Sequence, residues 1–123
     1  MTEEQLTQFM DAWNTRDVDA IAGAFTEDGI FYASVGTELM GATSVGPEAI
    51  RKGVEAFFER FPTGRFEDTT LVVAGDHGSA EWTFVVTTPD GQDVTTRGCD
   101  LFEFEGDKIR VNSVHPGIID TPI

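Results

Sequence analysis

The sequence predicts an α+β fold in which a strongly curved, antiparallel or mixed sheet wraps around N-terminal helices and forms a cone. Apolar residues recur at helical spacing in the first half of the chain and alternate with polar residues in the second half. Pro-Asp-Gly and Gly-Asp turns separate the alternating segments, which is typical of β-hairpins. A chain of 123 residues corresponds to one domain, and such a cone would enclose an apolar cavity.

Two helices are predicted at the start of the chain. Thr2 and Gln5 have the spacing of a capping box, and the apolar stripe that follows indicates a helix ending near Asn14. Asp17 is placed to cap a second, short helix, whose apolar spacing extends to Phe25. Residues 26–29 are expected to stop this second helix.

A short strand, a loop and a third helix come next. Residues 30–35 predict a strand, and the small residues at 36–46 are typical of a loop. Pro47 suits the first position of a helix, and Pro62 and Gly64 follow the end of its wide apolar face.

The second half of the chain predicts four strands in a meander. The four segments are residues 65–74, 80–86, 92–104 and 108–114. Pro116 and Pro122 then favour an extended backbone outside the sheet. We therefore predict a cone domain over residues 1–114 and an extended C-terminal tail over residues 115–123.

The composition restricts the possible partners. The net charge of −14, from 22 acidic and 8 basic side chains, repels nucleic acids and anionic membrane surfaces. No apolar run approaches the roughly 20 residues that span a bilayer. The acidic N-terminus lacks the features of a secretion signal, and the single Cys99 fits a reducing compartment. We expect a cytoplasmic protein that binds neither nucleic acid nor membrane.

Asp100 is the candidate catalytic residue. Alternation along its strand places the carboxyl on the same face as Gly98, Phe102 and Phe104. A carboxyl among phenylalanines has a raised pKa, and it can act as a general acid or donate a hydrogen bond to a ligand carbonyl. The alternative is a structural carboxylate paired with a basic group or a hydroxyl. Arg97 falls on the opposite face unless Gly98 forms a bulge.

Seven further residues are candidates for substrate binding. They are Phe9, Trp13, Tyr32, Phe57, Trp82, Phe102 and His115. Tyr32 is the only tyrosine, and its phenol would line the cavity from the first strand. His115 precedes a proline near the point where the cone would open. The alternative for the other aromatic residues is a place in the core, where the indole N–H of a buried Trp82 would need a partner.

Metal binding and thiol chemistry are not expected. The two histidines, His77 and His115, are far apart in sequence and lack the spacing of metal ligands. His77 lies in a Gly-Asp-His-Gly turn, where we expect it to be exposed. Cys99 faces away from Asp100 and has no neighbouring histidine in sequence, so it is better suited to sheet packing than to nucleophilic catalysis.

Three segments together resemble the nuclear transport factor 2-like, or SnoaL-like, superfamily. They are FMDAWNTRDVDAIAGAFTEDGIFY, GPEAIRKGVEAFF and RGCDLFEFEGDKI, and the resemblance covers about residues 3–111. It implies a cystatin-like α+β cone. In the ketosteroid-isomerase-like branch, Asp100 corresponds to an oxyanion-hole aspartate. Phe9 and Ala33 stand where that branch has its tyrosine and its catalytic base.

Other branches and families are similar only in part. The epoxide-hydrolase branch carries its Tyr and Asn where this chain has Phe31 and Ala33, and its Arg and first Asp where this chain has Glu81 and Thr83. The C-terminal residues 111–122 resemble a segment of short-chain dehydrogenases. The Gly-rich loop and the Tyr-x-x-x-Lys pair of that family are missing from the sequence, so we infer no dinucleotide binding.

The resemblance implies a small-molecule enzyme of the isomerase, cyclase or hydrolase type. It would act without a cofactor, using acid–base chemistry at Asp100 on a compact apolar ligand. The alternatives are a non-catalytic binding module for a hydrophobic small molecule and a dimerisation or interaction domain with a filled cone. We also expect a homodimer formed through the outer face of the sheet, whose residues on the long strand are Thr95, Arg97, Cys99, Leu101 and Glu103.

Overall fold

The computed structural model describes residues 1–33 and 42–117, which form a mixed α+β domain. Its elements, in chain order, are α1 (Glu3–Thr15), α2 (Val18–Gly23), β1 (Phe25–Tyr32), β2 (Thr43–Val45), α3 (Pro47–Arg60), β3 (Arg65–Ala74), β4 (His77–Thr87), β5 (Asp93–Glu105) and β6 (Lys108–Pro116). None of the helices in these two ranges is both long and apolar enough to cross a membrane.

The six strands form one curved sheet in the order β2-β1-β6-β5-β4-β3. β1 and β6 are parallel, and all other neighbouring strands are antiparallel. The predicted antiparallel or mixed sheet is therefore confirmed. The helices cover one face of the sheet, and buried side chains of α1 and α3 pack with the inward-facing residues of β5 and β6.

The first helix begins as predicted. The Thr2 hydroxyl accepts from the Gln5 backbone N–H at 3.1 Å, and the Gln5 side chain accepts from the Thr2 backbone N–H at 3.0 Å. Leu6, Phe9 and Trp13 are buried on the apolar stripe of α1. This stripe lies against the sheet because burial of apolar area is the main free-energy gain of an amphipathic helix.

Arg16 joins the end of α1 to the end of α3. Its backbone adopts a left-handed conformation with φ of 57°, which ends α1. Its guanidinium donates to the carbonyls of Phe61 at 2.9 Å, Pro62 at 2.8 Å and Gly64 at 3.2 Å. These carbonyls follow the last turn of α3, where helical partners are lacking. The ring of Phe58 lies 4.9 Å below the guanidinium carbon.

The structure corrects the prediction for the region between α2 and α3. α2 ends at Gly23, and Phe25 begins β1 because it pairs with Ile109 of β6. The predicted loop contains a three-residue strand, β2, which pairs with residues 30–32 of β1. A strand this short and largely exposed has no alternation from which it could be predicted. Residues 34 and 35 of the predicted first strand lie outside the described residues.

A β-bulge in β6 decides which of its side chains face inward. Phe104 pairs with Ile109 and Glu103 pairs with Val111, so Arg110 is the extra residue. The alternation changes phase at this point, and Asn112 rather than Val111 faces the core.

The last strand is longer than predicted. β6 continues to Pro116, which pairs with Gly98, so residues 115 and 116 belong to the sheet rather than to a tail. The prediction that the last strand ends near Val114 is therefore wrong. Residues 118–123 of the predicted tail lie outside the described residues.

Candidate functional site

A cavity of about 530 Å³ opens between the helices and the inner face of the sheet. This volume is in the range of small-molecule sites. Aromatic rings and small residues make up most of the wall, and a few polar side chains complete it. The lining residues are Trp13, Phe31, Ala33, Ala42, Ser44, Gly53, Ala56, Phe57, Glu59, Arg60, Phe61, Phe66, Asp100 and Val114.

Asp100 is the buried carboxyl of this wall. It shares the inward face of β5 with Gly98, Phe102 and Phe104, as predicted, and only 4% of its surface is exposed. Burial raises the pKa of Asp100 from 3.8 to about 7, because the charged form loses its hydration. The carboxyl is thus divided between its neutral and ionised forms near neutral pH.

Trp82 and Asn112 flank Asp100 on the same face of the sheet. Trp82 lies on β4, two residues from Ala80, which pairs with Asp100, and Asn112 lies on β6, two residues from Val114, which pairs with Asp100 on the other side. Both side chains lower the pKa of Asp100 and so oppose the effect of burial. Neither forms a hydrogen bond of regular geometry with it, since the Trp82 Nε1 atom and both amide atoms of Asn112 lack a hydrogen-bond partner among the described residues.

Gly98 makes room for the indole beside Asp100. A Cβ atom at this position would lie 2.6 Å from Cη2 of Trp82 and 2.7 Å from the carbonyl oxygen of His115. The Trp82 ring therefore rests directly on the backbone of β5. The position accepts only glycine as long as the ring and β6 keep these places.

Asp100 has no cationic partner among the described residues. Arg97 lies on the outer face, where it donates to the carbonyl of Asp68 at 3.0 Å and to the Thr83 hydroxyl at 3.2 Å, and approaches Glu81 at 3.7 Å. β4 and β5 pair without a bulge at Gly98, so the predicted separation of Arg97 from Asp100 is confirmed. A structural ion pair therefore does not explain the buried carboxyl.

Three of the residues predicted for the site line the cavity. They are Asp100, Trp13 and Phe57, and the two rings contact each other edge to face with centroids 5.4 Å apart. Phe9, Trp82 and Phe102 are buried in the core outside the cavity wall. Phe9 packs on Phe102 with centroids 5.9 Å apart, which places it behind the wall. Ala33, which the resemblance to the ketosteroid-isomerase-like branch aligns with that branch's base, does lie in the wall.

Tyr32 and His115 lie on the other face of the sheet, so their predicted places in the site are wrong. In β1, Phe31 pairs with the inward-facing Asn112, and the next residue, Tyr32, therefore faces outward beside Ser113. His115 pairs directly with Cys99, which is on the outer face of β5. The predicted exposure of His77 is confirmed, with 65% of its side chain exposed.

Several residues of the site were not predicted. Phe31, Phe61 and Phe66 supply aromatic wall, while Gly53 and Ala56 keep the α3 side of the cavity open. Gly53 and Ala56 are three residues apart on α3, which was the available signal for a shared helical face. Asn112 could not be predicted from alternation, because the bulge at Arg110 reverses the phase of β6.

The thiol of Cys99 is not activated as a nucleophile, because its pKa is raised rather than lowered. Burial, Asp100 and Glu81 all raise the pKa of Cys99, so the thiol keeps its proton. This agrees with the prediction that Cys99 serves sheet packing.

Comparisons with known proteins identify the family. The model of the SnoaL-like domain matches residues 6–112. No match is found among curated proteins. A solved structure of TerC, co-crystallised with polyporic acid, is 18% identical, with a TM-score of 0.76 over 95% of this chain and 89% of that one.

Two further solved structures share the fold. A ketosteroid isomerase-like protein from Catenulispora acidiphila, in complex with trimethylamine, is 20% identical, with a TM-score of 0.71 over 96% of this chain and 88% of that one. An uncharacterised cystatin-fold protein from Novosphingobium aromaticivorans is 23% identical, with a TM-score of 0.72 over 90% and 94% of the two chains. The predicted cone fold is confirmed, and the chain belongs to the SnoaL-like domain family.

Proposed function

We propose that this protein is a small-molecule enzyme in which Asp100 performs acid–base chemistry on a compact apolar substrate that carries a carbonyl or a hydroxyl. The observation that carries the proposal is a carboxyl that is buried at the wall of an open apolar cavity and has no cationic partner within residues 1–33 and 42–117. Burial of such a carboxyl lowers the stability of the fold. Carboxyls that are kept at this cost are concentrated at functional sites.

The chemistry follows from the two forms of Asp100. With a pKa of about 7, the ionised form can remove a proton from a carbon next to a substrate carbonyl, and the resulting acid can return that proton to another carbon of the same molecule. The proton that Asp100 removes is returned to the same molecule, so the cycle is balanced and needs no cofactor. The aromatic wall of Trp13, Phe31 and Phe57 would hold the apolar body of the substrate and exclude water.

The solved structures of similar fold support a small-molecule ligand. TerC was co-crystallised with polyporic acid, and the ketosteroid isomerase-like protein was crystallised in complex with trimethylamine. Both are small molecules, although their chemistry differs. The scaffold therefore accommodates different ligands, and the side chains of each cavity set the specificity.

The test is a thermal-shift screen of small ketones, steroids, terpenoids and epoxides, followed by turnover assays of the hits. We expect a hit to stabilise the wild type but not an Ala56→Phe variant, in which the new ring fills the cavity. Asp100→Asn should then reduce kcat at least a hundredfold, within the usual contribution of a general acid or base. Asp11→Asn, the same chemical change on the exposed face of α1, should leave kcat unchanged.

A second candidate is a binding module that does not turn its ligand over. The observation in its favour is that the two side chains which act on the pKa of Asp100, Trp82 and Asn112, do not titrate, so neither can serve as a second acid or base. In that case a ligand binds the wild type and is recovered unchanged, as mass spectrometry would show. An interaction domain with a filled cone is not supported, because the cavity is open.

We also propose the homodimer predicted from the outer sheet face. Val72 on β3 and Leu101 on β5 are 52% and 48% exposed, and Ser79 of β4 lies between them in register. Two copies packed face to face would bury both apolar side chains. A cytoplasmic location remains a prediction.

A further inference from the structure

Asn112 is the buried polar side chain that the proposed chemistry does not yet use. Its exposed fraction is 0%, and neither Nδ2 nor Oδ1 has a hydrogen-bond partner among the described residues. Buried amides are almost always hydrogen-bonded, because an unpaired polar group costs free energy. A purely structural asparagine would be fixed by at least one backbone partner, so this one requires another explanation.

The position of Asn112 supplies that explanation. It pairs with Phe102, while Asp100 pairs with the next inward-facing residue of β6, Val114. Asp100 and Asn112 are thus diagonal neighbours on the inward face of an antiparallel pair. The two side chains are close enough to interact, since Asn112 lowers the pKa of Asp100 as a hydrogen-bond donor does.

An amide differs from an indole in what it can offer a carboxyl. Trp82, the neighbour of Asp100 on β4, carries a donor only and therefore favours the ionised form, and it cannot accept the proton of the carboxylic acid. Asn112 carries a donor at Nδ2 and an acceptor at Oδ1. Because both atoms lack another partner in the described part of the chain, the amide can present either of them to Asp100 without losing a hydrogen bond there.

We propose that Asn112 is a positioning residue that holds the Asp100 carboxyl in both of its protonation states, donating from Nδ2 to the carboxylate and accepting at Oδ1 from the carboxylic acid. The role in catalysis rests on the proposed function, which requires Asp100 to alternate between these two states. A side chain that can only donate has no acceptor for the proton of the carboxylic acid, whereas a rotating amide can bond to both forms, more strongly to the charged one.

The other charged and titratable groups around Asp100 do not replace this role. Glu59 and Arg60 of α3 line the cavity, and both side chains are exposed. Cys99 and His115 lie on the outer face of the sheet. On the inward face of β4 and β6, the described polar neighbours of Asp100 are Trp82 and Asn112, and neither titrates.

The test compares the titration of Asp100 in matched variants by carbon-13 NMR of the aspartate carboxyls, with Asp100→Asn assigning the signal. In Asn112→Leu, which keeps the shape of the side chain and removes the amide, we expect the pKa of Asp100 to be about one pH unit higher. The reason is that the hydrogen bond lost to the carboxylate is charge-assisted and stronger than the one lost to the carboxylic acid. Asn112→Val and Asn112→Thr have the same shape and differ in one hydroxyl, which both donates and accepts. The pKa of Asp100 should be lower in the Thr variant than in the Val variant.

An unchanged pKa of Asp100 in Asn112→Leu, or equal values in the Thr and Val variants, would overturn the inference. With a substrate in hand, the acidic limb of the kcat profile should shift by the same amount, and Asn112→Thr should recover part of the lost kcat. If the NMR shifts occur and no turnover is found, positioning by Asn112 stands and the enzymatic function fails. If turnover depends on Asp100 and the shifts are missing, the opposite holds.

Discussion

The buried Asp100 makes the stability of the protein depend on pH in a way that a single substitution should remove. In the folded state its pKa is about 7, compared with an ordinary value of 3.8. Between these values the folded protein keeps a proton that the unfolded chain releases, so the free energy of unfolding falls as pH rises. At about 1.4 kcal/mol per pH unit, the full difference corresponds to about 4 kcal/mol, present below pH 4 and lost above pH 7.

Urea denaturation of the wild type and of Asp100→Asn, followed by tryptophan fluorescence, measures this effect. We choose pH 5.5 to 8.5, which avoids precipitation near the isoelectric point of about 4.2. Over this range the wild type should lose about 2 kcal/mol relative to the variant, because that portion of the Asp100 titration falls there. The asparagine side chain does not titrate, so the loss should be missing in Asp100→Asn.

The comparison separates Asp100 from the general effect of net charge. A chain with a net charge of −14 is also destabilised by self-repulsion as pH rises, and both proteins share that effect. Asp11→Asn removes the same single charge from the exposed face of α1 and should keep the wild-type pH dependence. Parallel curves for wild type and Asp100→Asn would refute a raised pKa of Asp100 and, with it, the chemical basis of the proposed site.

Three further predictions concern the scaffold and the assembly. Arg16→Met removes the hydrogen bonds to the carbonyls that follow α3, so the free energy of unfolding in urea should fall by about 2–3 kcal/mol. A loss smaller than about 0.5 kcal/mol would contradict this role of Arg16. Gly98→Ala forces the Trp82 ring or the neighbouring strand to move, so the free energy of unfolding should fall by about 1–3 kcal/mol. An unchanged melting temperature would show that the ring and the strand can move without loss of stability. Leu101→Lys places a charge in the proposed dimer interface, and light scattering should report a monomer; an unchanged dimer would exclude this face as the interface.

Local chemistry determined much of the fold in advance. The capping box at Thr2 and the proline at position 47 set the starts of α1 and α3, because both act on backbone groups within one helical turn. The β4–β5 pairing has no bulge, so alternation placed Asp100 on the buried face correctly. The sequence alone therefore determined the buried position of Asp100.

Pairing between distant strands decided the rest. Parallel pairing with β6 drew Phe25 out of the predicted helix and turned Phe31, rather than Tyr32, toward the cavity. The bulge in β6 brought Asn112 to Asp100, and the same strand placed His115 on the outer face. These are long-range choices, since a one-residue change in register reverses every side chain that follows. The sequence thus determined the cone and its buried carboxyl, and only the tertiary structure decided which side chains surround that carboxyl.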